Sequence, residues 1–187
     1  MSAYPPLIGA VLAEVGGALG GVDEAALLAL ERAICRASRV FVAGTGRSGL
    51  AMRGFAMRLT HLGLTAHVVG EVTTPNLAAG DLLLIGSGSG RTPSVLNWAS
   101  RARALQAGLG LITASRPSPM AELADWVVEI NAPTPKAGTG GQAASIQPMG
   151  TLFEQSLGIC LDVLVLRLMA ARGVSAEQMF ARHANLE

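Results

Sequence analysis

The sequence has few charged and few aromatic residues, and this shortage excludes several classes of function. Only 14% of the 187 residues are charged, 4% are aromatic, and the formal net charge is +1. Nucleic acid is therefore not expected as a partner, because binding to phosphates along a strand needs clustered positive charge. The single lysine, Lys136, lies in a stretch rich in glycine and proline. This position favours neither a Schiff-base lysine nor the lysine of a Walker-type loop.

Cysteine is also scarce, and no secretory or membrane-spanning segment is evident. Cys35 and Cys160 lie far apart in apolar, helix-like stretches, which predicts buried free thiols in a reducing compartment. No charged segment precedes an apolar run near the N-terminus, where the first basic residue is Arg32. The most apolar window, residues 157–171, contains charged residues and is shorter than the roughly 20 residues of a membrane span. We therefore expect a cytoplasmic protein.

Apolar residues, in contrast, are abundant. They make up 50% of the chain, and the mean hydropathy is +0.44, which excludes intrinsic disorder and indicates extensive burial, including burial between subunits. A chain of this length is expected to form a single domain whose core needs no disulfide or metal. Its expected parts are N-terminal helices over residues 1–37, an α/β core over 38–130, a loop over 131–147 and C-terminal helices over 148–187.

Within the expected core, short runs of β-forming residues alternate with helical patterns. The predicted strands are 40–42, 65–69, 82–85, 109–112 and 126–130, and the predicted helices between them are 48–62, 93–107 and 119–123. Strands that alternate with helices predict a parallel sheet covered on both faces. The predicted fold is thus α/β, a three-layer α-β-α sandwich with a five-stranded parallel sheet in the flavodoxin-like order 2-1-3-4-5.

Two loops rich in glycine, serine and threonine each follow a predicted strand and precede a predicted helix. They are residues 44–49 (GTGRSG) and residues 86–92 (GSGSGRT). Such loops bring backbone N–H groups and hydroxyls to a helix N-terminus, where the helix dipole favours an anion. Because the first and third strands are neighbours in the predicted order, both loops would face the crevice where such sheets bind ligands. The simpler alternative is that each loop is only a tight turn.

The first loop also matches the G-x-G-x-x-G pattern of dinucleotide-binding proteins, and Glu71 follows the next strand, where a ribose-binding carboxylate could lie. This oxidoreductase hypothesis leaves the second loop unexplained and places the large Arg47 against a pyrophosphate. A Walker loop is excluded because Leu50 stands at the lysine position.

No metal is expected, because the histidines are scattered without the spacing of metal ligands; they are His61, His67 and His183.

Several motifs resemble a known family. Ser48 at the end of the first loop, the second loop SGSGRT (residues 87–92) and Glu154 near the start of the last long helix resemble the sugar isomerase (SIS) domain. Longer motifs resemble the 6-phospho-3-hexuloisomerase family of SIS proteins: GTGRSGL (44–50), FAMRL (55–59), VGE (69–71), PMGTLFEQ (148–155) and RHANLE (182–187). The resemblance covers nearly the whole chain. Its main departure is the segment rich in glycine and alanine at residues 138–145.

This resemblance implies a cytoplasmic enzyme of the ribulose monophosphate pathway of formaldehyde fixation. Such an enzyme interconverts D-arabino-hex-3-ulose 6-phosphate and D-fructose 6-phosphate through an enediol(ate), without a metal or organic cofactor, and works as a homotetramer. The implied binding residues form two groups, one for the phosphate and one for the sugar. They are Ser87, Gly88, Ser89 and Thr92 for the phosphate, and Gly46, Arg47 and Ser48 for the sugar.

Moving a carbonyl group from C3 to C2 requires a base for the C2 proton and a proton source at the oxygens. Glu154 is the expected base, and His183 is expected to serve the oxygens, from its own or a neighbouring subunit. Simpler roles remain open: Glu154 as a partner of the helix dipole, Arg47 and Arg91 as solvated surface groups, and His183 as a structural residue. Two other functions also stay open, namely an SIS isomerase of a pentose or heptose phosphate and a non-catalytic sugar-phosphate sensor.

Overall fold

The computed structural model describes residues 4–134 and 145–186. In chain order the elements are α1 (Tyr4–Gly20), α2 (Glu24–Arg36), β1 (Val40–Ala43), α3 (Gly46–His61), β2 (Ala66–Val68), β3 (Leu82–Gly86), α4 (Pro93–Ala104), β4 (Gly108–Thr113), α5 (Pro119–Leu123), β5 (Trp126–Glu129), α6 (Thr151–Arg172) and α7 (Ala176–Phe180). The strands are parallel and form one sheet in the order β2-β1-β3-β4-β5. The strand order predicted from the sequence is confirmed.

The sheet separates two apolar cores, because alternate residues of a strand point to opposite faces. In β1, Val40 and Val42 pack in the core beneath α1, α2, α3 and α6, whereas Phe41 and Ala43 pack in the core beneath α4 and α5. Every residue of β3 is buried, which explains why its sequence is a continuous apolar run. The helices on both faces confirm the predicted three-layer sandwich.

The end of α4 differs from the sequence-based prediction. The helix ends at Ala104 rather than at residue 107, and Gln106 takes the left-handed conformation after it, with φ 58°. Gly108 begins β4 instead of terminating α4. A Cβ atom on Gly108 would lie 3.1 Å from the ring of Trp126, so this glycine makes room for an aromatic side chain on the neighbouring strand.

Part of the expected loop over 131–147 lies outside the described residues, since residues 135–144, with Lys136, are not included. Most of the divergent segment 138–145 and the final residue Glu187 lie outside them as well. Among the described residues, no single helix is long and apolar enough to cross a membrane. Only α1 and α2 taken together reach that length and composition, as a pair bent by 79°.

The two cysteines differ in their surroundings. Both are free thiols, as predicted, but only Cys160 is fully buried, whereas Cys35 is half-buried. Burial raises the pKa of Cys160 to about 11 because a thiolate is poorly solvated in an apolar core. Cys160 is therefore a neutral, unreactive core residue at neutral pH.

Candidate active site

Three helices begin at the end of the sheet where β1 and β3 terminate. The N-cap residues of α3, α4 and α6 are Thr45, Thr92 and Gly150, and all three line one cavity of about 280 Å³. The first N–H groups of a helix have no partner within the helix, and its dipole is positive at this end. Three such ends around one cavity favour a bound anion.

Eight of the nine site residues predicted from the sequence line this cavity, and only His183 does not. The described residues that line the cavity are Thr45, Gly46, Arg47, Ser48, Gly86, Ser87, Gly88, Ser89, Thr92, Thr134, Met149, Gly150, Phe153 and Glu154. The predicted crevice between the two loops is thus a real cavity. The chemical role of each residue remains a prediction.

The loop after β3 is held firmly at one wall of the cavity. The Gly88 carbonyl accepts hydrogen bonds from the Ala114 amide at 3.0 Å and from Thr113 Oγ1 at 3.1 Å. A Cβ atom on Gly88 would lie 3.0 Å from Phe153 Cδ1, so any larger residue there would press against the first turn of α6. Ser87 and Ser89 on either side are each only 6% exposed. Small, buried hydroxyl groups on a rigid loop are suited to holding phosphate oxygens.

The loop after β1 owes its shape to glycine. Gly46 has φ +57°, a left-handed conformation that residues with side chains rarely adopt. A Cβ atom on Gly49 would lie 2.7 Å from the Gly44 carbonyl oxygen. The backbone therefore turns tightly, and Arg47 and Ser48 enter the cavity lining from the first turn of α3.

An ion pair joins the two sides of the cavity. Arg47 Nε donates a hydrogen bond to Glu154 Oε2 at 2.6 Å, although the two residues are 107 positions apart. The Glu154 side chain is 21% exposed and that of Arg47 is 61% exposed. Glu154 lies in the first turn of α6, so it also complements the helix dipole. Glu154 therefore combines an ion pair inside the cavity with a position that complements the dipole.

His183 lies far from this cavity within its own chain. Its ring centroid is 5.3 Å from that of His61 and 6.1 Å from that of Phe180. His61 is the last residue of α3, whose first residue, Gly46, lines the cavity; at 1.5 Å per residue these helix ends are roughly 22 Å apart. A catalytic His183 would therefore have to come from a neighbouring subunit.

Burial lowers the pKa of His61, and the nearby Arg58 and His183 lower it further. His61 is 5% exposed, so its ring is packed inside the fold at the end of α3. His67 lies in β2, where its ring centroid is 5.1 Å from that of Phe41.

Across residues 4–134 and 145–186, no group of three or more acidic, histidine or cysteine side chains could hold a metal ion. The described residues that line the cavity likewise include no histidine or cysteine.

Thr134, which is not among the residues predicted from the sequence, also lies in the cavity lining. Thr134 is 8% exposed, and its hydroxyl oxygen is buried without a hydrogen-bond partner among the described residues. Its methyl group packs toward Gly88, since a Cβ there would lie 3.2 Å from Thr134 Cγ2. No sequence motif marks this residue, because its neighbours belong to the irregular segment after β5.

Comparison with known proteins agrees with this geometry. The model of the SIS domain family matches residues 33–157, a range that contains both loops and Glu154. The chain belongs to the SIS domain family. One curated relative, the 3-hexulose-6-phosphate isomerase of Bacillus subtilis (strain 168), is 45% identical over 154 residues, which cover 82% of this SIS chain and 83% of the relative. The 3-hexulose-6-phosphate isomerase of Mycobacterium gastri is 45% identical over 174 residues, which cover 93% and 86%, respectively.

A solved structure extends the similarity to the whole SIS fold. It is that of a hypothetical protein from Methanococcus jannaschii, with a TM-score of 0.84 and 32% sequence identity, covering 97% of this chain and 99% of that one. That structure is described as inferring the molecular function of 3-hexulose-6-phosphate isomerase. The family resemblance carried by the sequence motifs is confirmed by these matches.

Proposed function

We propose that this chain is an isomerase that interconverts D-arabino-hex-3-ulose 6-phosphate and D-fructose 6-phosphate. The observation that carries the proposal is a carboxylate, Glu154, in the same cavity as the rigid hydroxyl-bearing loop 86–92. A sugar phosphate held at its phosphate group presents its carbon chain to the opposite wall, where a base is needed. Relatives named 3-hexulose-6-phosphate isomerase at 45% identity support this choice of substrate.

The isomerisation moves hydrogen without any net oxidation. Glu154 takes the proton from C2, the electron pair of that bond forms the C2=C3 bond of an enediolate, and the oxygen on C3 gains a proton. As C2=O forms, the O2 proton passes to the same group that protonated O3, a role expected of His183 from a neighbouring subunit, and C3 receives a proton from the acid form of Glu154. Because no electrons enter or leave, this reaction needs no redox cofactor.

Arg47 supports both stages of this mechanism. Its guanidinium group holds the Glu154 carboxylate at 2.6 Å, so the base is fixed in the cavity. Negative charge develops on the substrate oxygens as the enediolate forms, and a guanidinium group beside the N-terminus of α3 stabilises that charge.

Apolar surface on α1 and α6 supports assembly into a homotetramer. Ile8 and Leu12 on α1 are 59% and 63% exposed, and Val163 and Leu166 on α6 are 44% and 65% exposed. These helices pack against each other, so the exposed side chains belong to adjacent faces that a second copy would cover. Assembly also offers a route for His183 of a neighbouring subunit to reach the cavity and serve the substrate oxygens.

The proposal places this enzyme in the cytoplasm, in the ribulose monophosphate pathway. Its ligand would be the phosphorylated ketohexose alone, with no nucleic acid, membrane, metal or organic cofactor as a partner. An SIS isomerase of another sugar phosphate or a sugar-phosphate sensor would have the same fold. The choice between these functions therefore depends on turnover.

A coupled assay tests the proposed function. The protein is mixed with the 3-hexulose 6-phosphate, and fructose 6-phosphate is measured as it forms; a pentose phosphate and a heptose phosphate serve as comparison substrates. We expect turnover of the 3-hexulose phosphate at a kcat/KM at least 100-fold higher than for either comparison substrate. Binding of the sugar phosphate without turnover would show a sensor, and preference for a comparison substrate would show a different isomerase.

A further inference from the structure

Glu14 makes an unusual set of contacts between α1 and the segment that leads into α6. Its Oε2 atom accepts hydrogen bonds from Ser145 Oγ at 2.8 Å and from Gln147 Nε2 at 3.0 Å. Its Oε1 atom accepts one from the Ile146 amide at 2.8 Å. One carboxylate therefore holds three consecutive residues that lie more than 130 positions away in the sequence.

The chemistry of these contacts requires a carboxylate. An ionised carboxyl group can accept all three hydrogen bonds with both of its oxygens, whereas the amide nitrogen of a glutamine at this position can only donate. The hydrogen bonds from Gln147, Ile146 and Ser145 lower the pKa of Glu14 below its usual value. Glu14 is also the single charged residue of α1, a helix that is otherwise apolar or small along its length.

The held segment leads directly into the cavity. Met149 and Gly150, which lie two and three residues after Gln147, line the cavity. Met149 has a positive φ of 58°. Such a backbone conformation persists only where its surroundings hold it in place. On the other side of Met149, Thr151 Oγ1 donates to the Pro148 carbonyl at 2.7 Å, which ties the segment to the first turn of α6. That turn carries Glu154.

We propose that Glu14 is a positioning residue for the isomerase reaction. By holding residues 145–147 against α1, it fixes the start of α6 and so sets where Glu154 stands relative to Arg47 and the substrate. The inference rests on the proposed function, because it assumes that Glu154 is the base. It also predicts that the two walls of the cavity respond differently to the loss of Glu14. The position of the wall that carries Glu154 should change, whereas the position of the phosphate-holding loop, which is hydrogen-bonded to the end of β4, should not.

Steady-state kinetics and hydrogen–deuterium exchange test this role in the full-length protein. Glu14→Gln keeps the size of the side chain but turns one acceptor into a donor, and Glu24→Gln, on the exposed first turn of α2, is the matched control. We expect Glu14→Gln to lower kcat about 10- to 100-fold, because displacements of about 1 Å at a reacting group cost this much. Inhibition by inorganic phosphate should change less than twofold, and amide exchange should speed up at residues 145–147 but not in β3.

A variant in which the side chains of Glu14 and Gln147 are exchanged separates an effect on the position of the segment from a general loss of stability. Glu14→Gln combined with Gln147→Glu restores a carboxylate–amide hydrogen bond with the roles reversed, so kcat should recover at least threefold over Glu14→Gln alone. Unchanged kcat in Glu14→Gln, or loss of phosphate inhibition in parallel with kcat, would overturn the proposal. Unchanged amide exchange at residues 145–147 would show that Glu14 does not hold this segment. The exchange measurement needs no substrate, so its result stands even if the coupled assay shows that the parent protein is not this isomerase.

Discussion

Removing two hydroxyl groups from the loop after β3 should weaken substrate binding without disturbing the fold. Ser87→Ala and Thr92→Val both preserve shape, and the Thr92 side chain makes no capping hydrogen bond to α4, so the helix start loses nothing. Each hydroxyl is expected to donate one charge-assisted hydrogen bond to the substrate phosphate, and losing both costs about 2–4 kcal/mol. At about 1.4 kcal/mol per factor of ten, KM should rise about 30- to 700-fold while kcat changes little.

The coupled assay measures this effect, with inorganic phosphate as a competing ligand of the parent protein. Ser100→Ala is the matched control, because Ser100 lies on the exposed side of α4 and its hydroxyl donates only to the Leu96 carbonyl. We expect the control to keep the parent KM and the parent sensitivity to phosphate. An unchanged KM in the double variant would refute the reasoning and place the phosphate elsewhere in the cavity.

Three further predictions concern assembly and stability. Light scattering at micromolar concentration should give about four times the chain mass of 19.1 kDa, and a mass near 19.1 kDa would contradict the covered faces of α1 and α6. Burial alone would raise the pKa of Asp81, but hydrogen bonds from Arg39 and from the Ala78 amide lower it overall. Asp81 therefore stabilises the fold above its unfolded pKa of about 3.9, and this contribution is lost as the pH falls through its lower folded value. Urea unfolding should show Asp81→Asn less stable than the parent at pH 7, with the difference shrinking below about pH 4; a constant difference would contradict the assignment. Cys160, with its pKa raised to about 11, should react with a thiol reagent at pH 8 only after urea unfolding, and rapid labelling of Cys160 itself in the native protein, located by peptide mapping to separate it from Cys35, would show that its burial is wrong.

The sheet was predictable because local pattern and tertiary burial agree there. The apolar runs that became β1 and β3 are buried on both faces, so their hydrophobicity alone indicates central parallel strands. The two glycine-rich loops were predictable for a related reason. Because they follow strands that are neighbours in the predicted sheet, both loops are expected at the same crevice without any knowledge of side-chain contacts.

The contacts that complete the cavity were not predictable, because they join residues remote in the sequence. The pairing of Arg47 with Glu154 spans 107 positions, and the contacts of Glu14 with residues 145–147 follow only from the packing of α1 on α6. The end of α4 was mispredicted for a local reason. Gly108 looks like a helix terminator, yet it is glycine because Trp126 occupies the space where its side chain would lie.

Glu154→Gln tests directly whether Glu154 is the base that takes the C2 proton of the substrate. The substitution keeps the size of the side chain and its ability to accept a hydrogen bond from Arg47, but it removes basicity. A positioned carboxylate typically contributes about 10²–10⁴-fold to such a proton transfer, so kcat should fall by that factor with little change in KM. Glu177→Gln, in the first turn of α7 outside the cavity, is the matched control and should keep parent activity.

Exchange of the C2 proton of the substrate with solvent, followed by NMR in D2O, reports the same step without the coupling enzyme. We expect this exchange to fall in parallel with kcat in Glu154→Gln. In the parent protein it should be unchanged by chelators. Near-parent turnover and C2 exchange in Glu154→Gln, together with their loss in His183→Gln, would contradict the account and make the histidine the base.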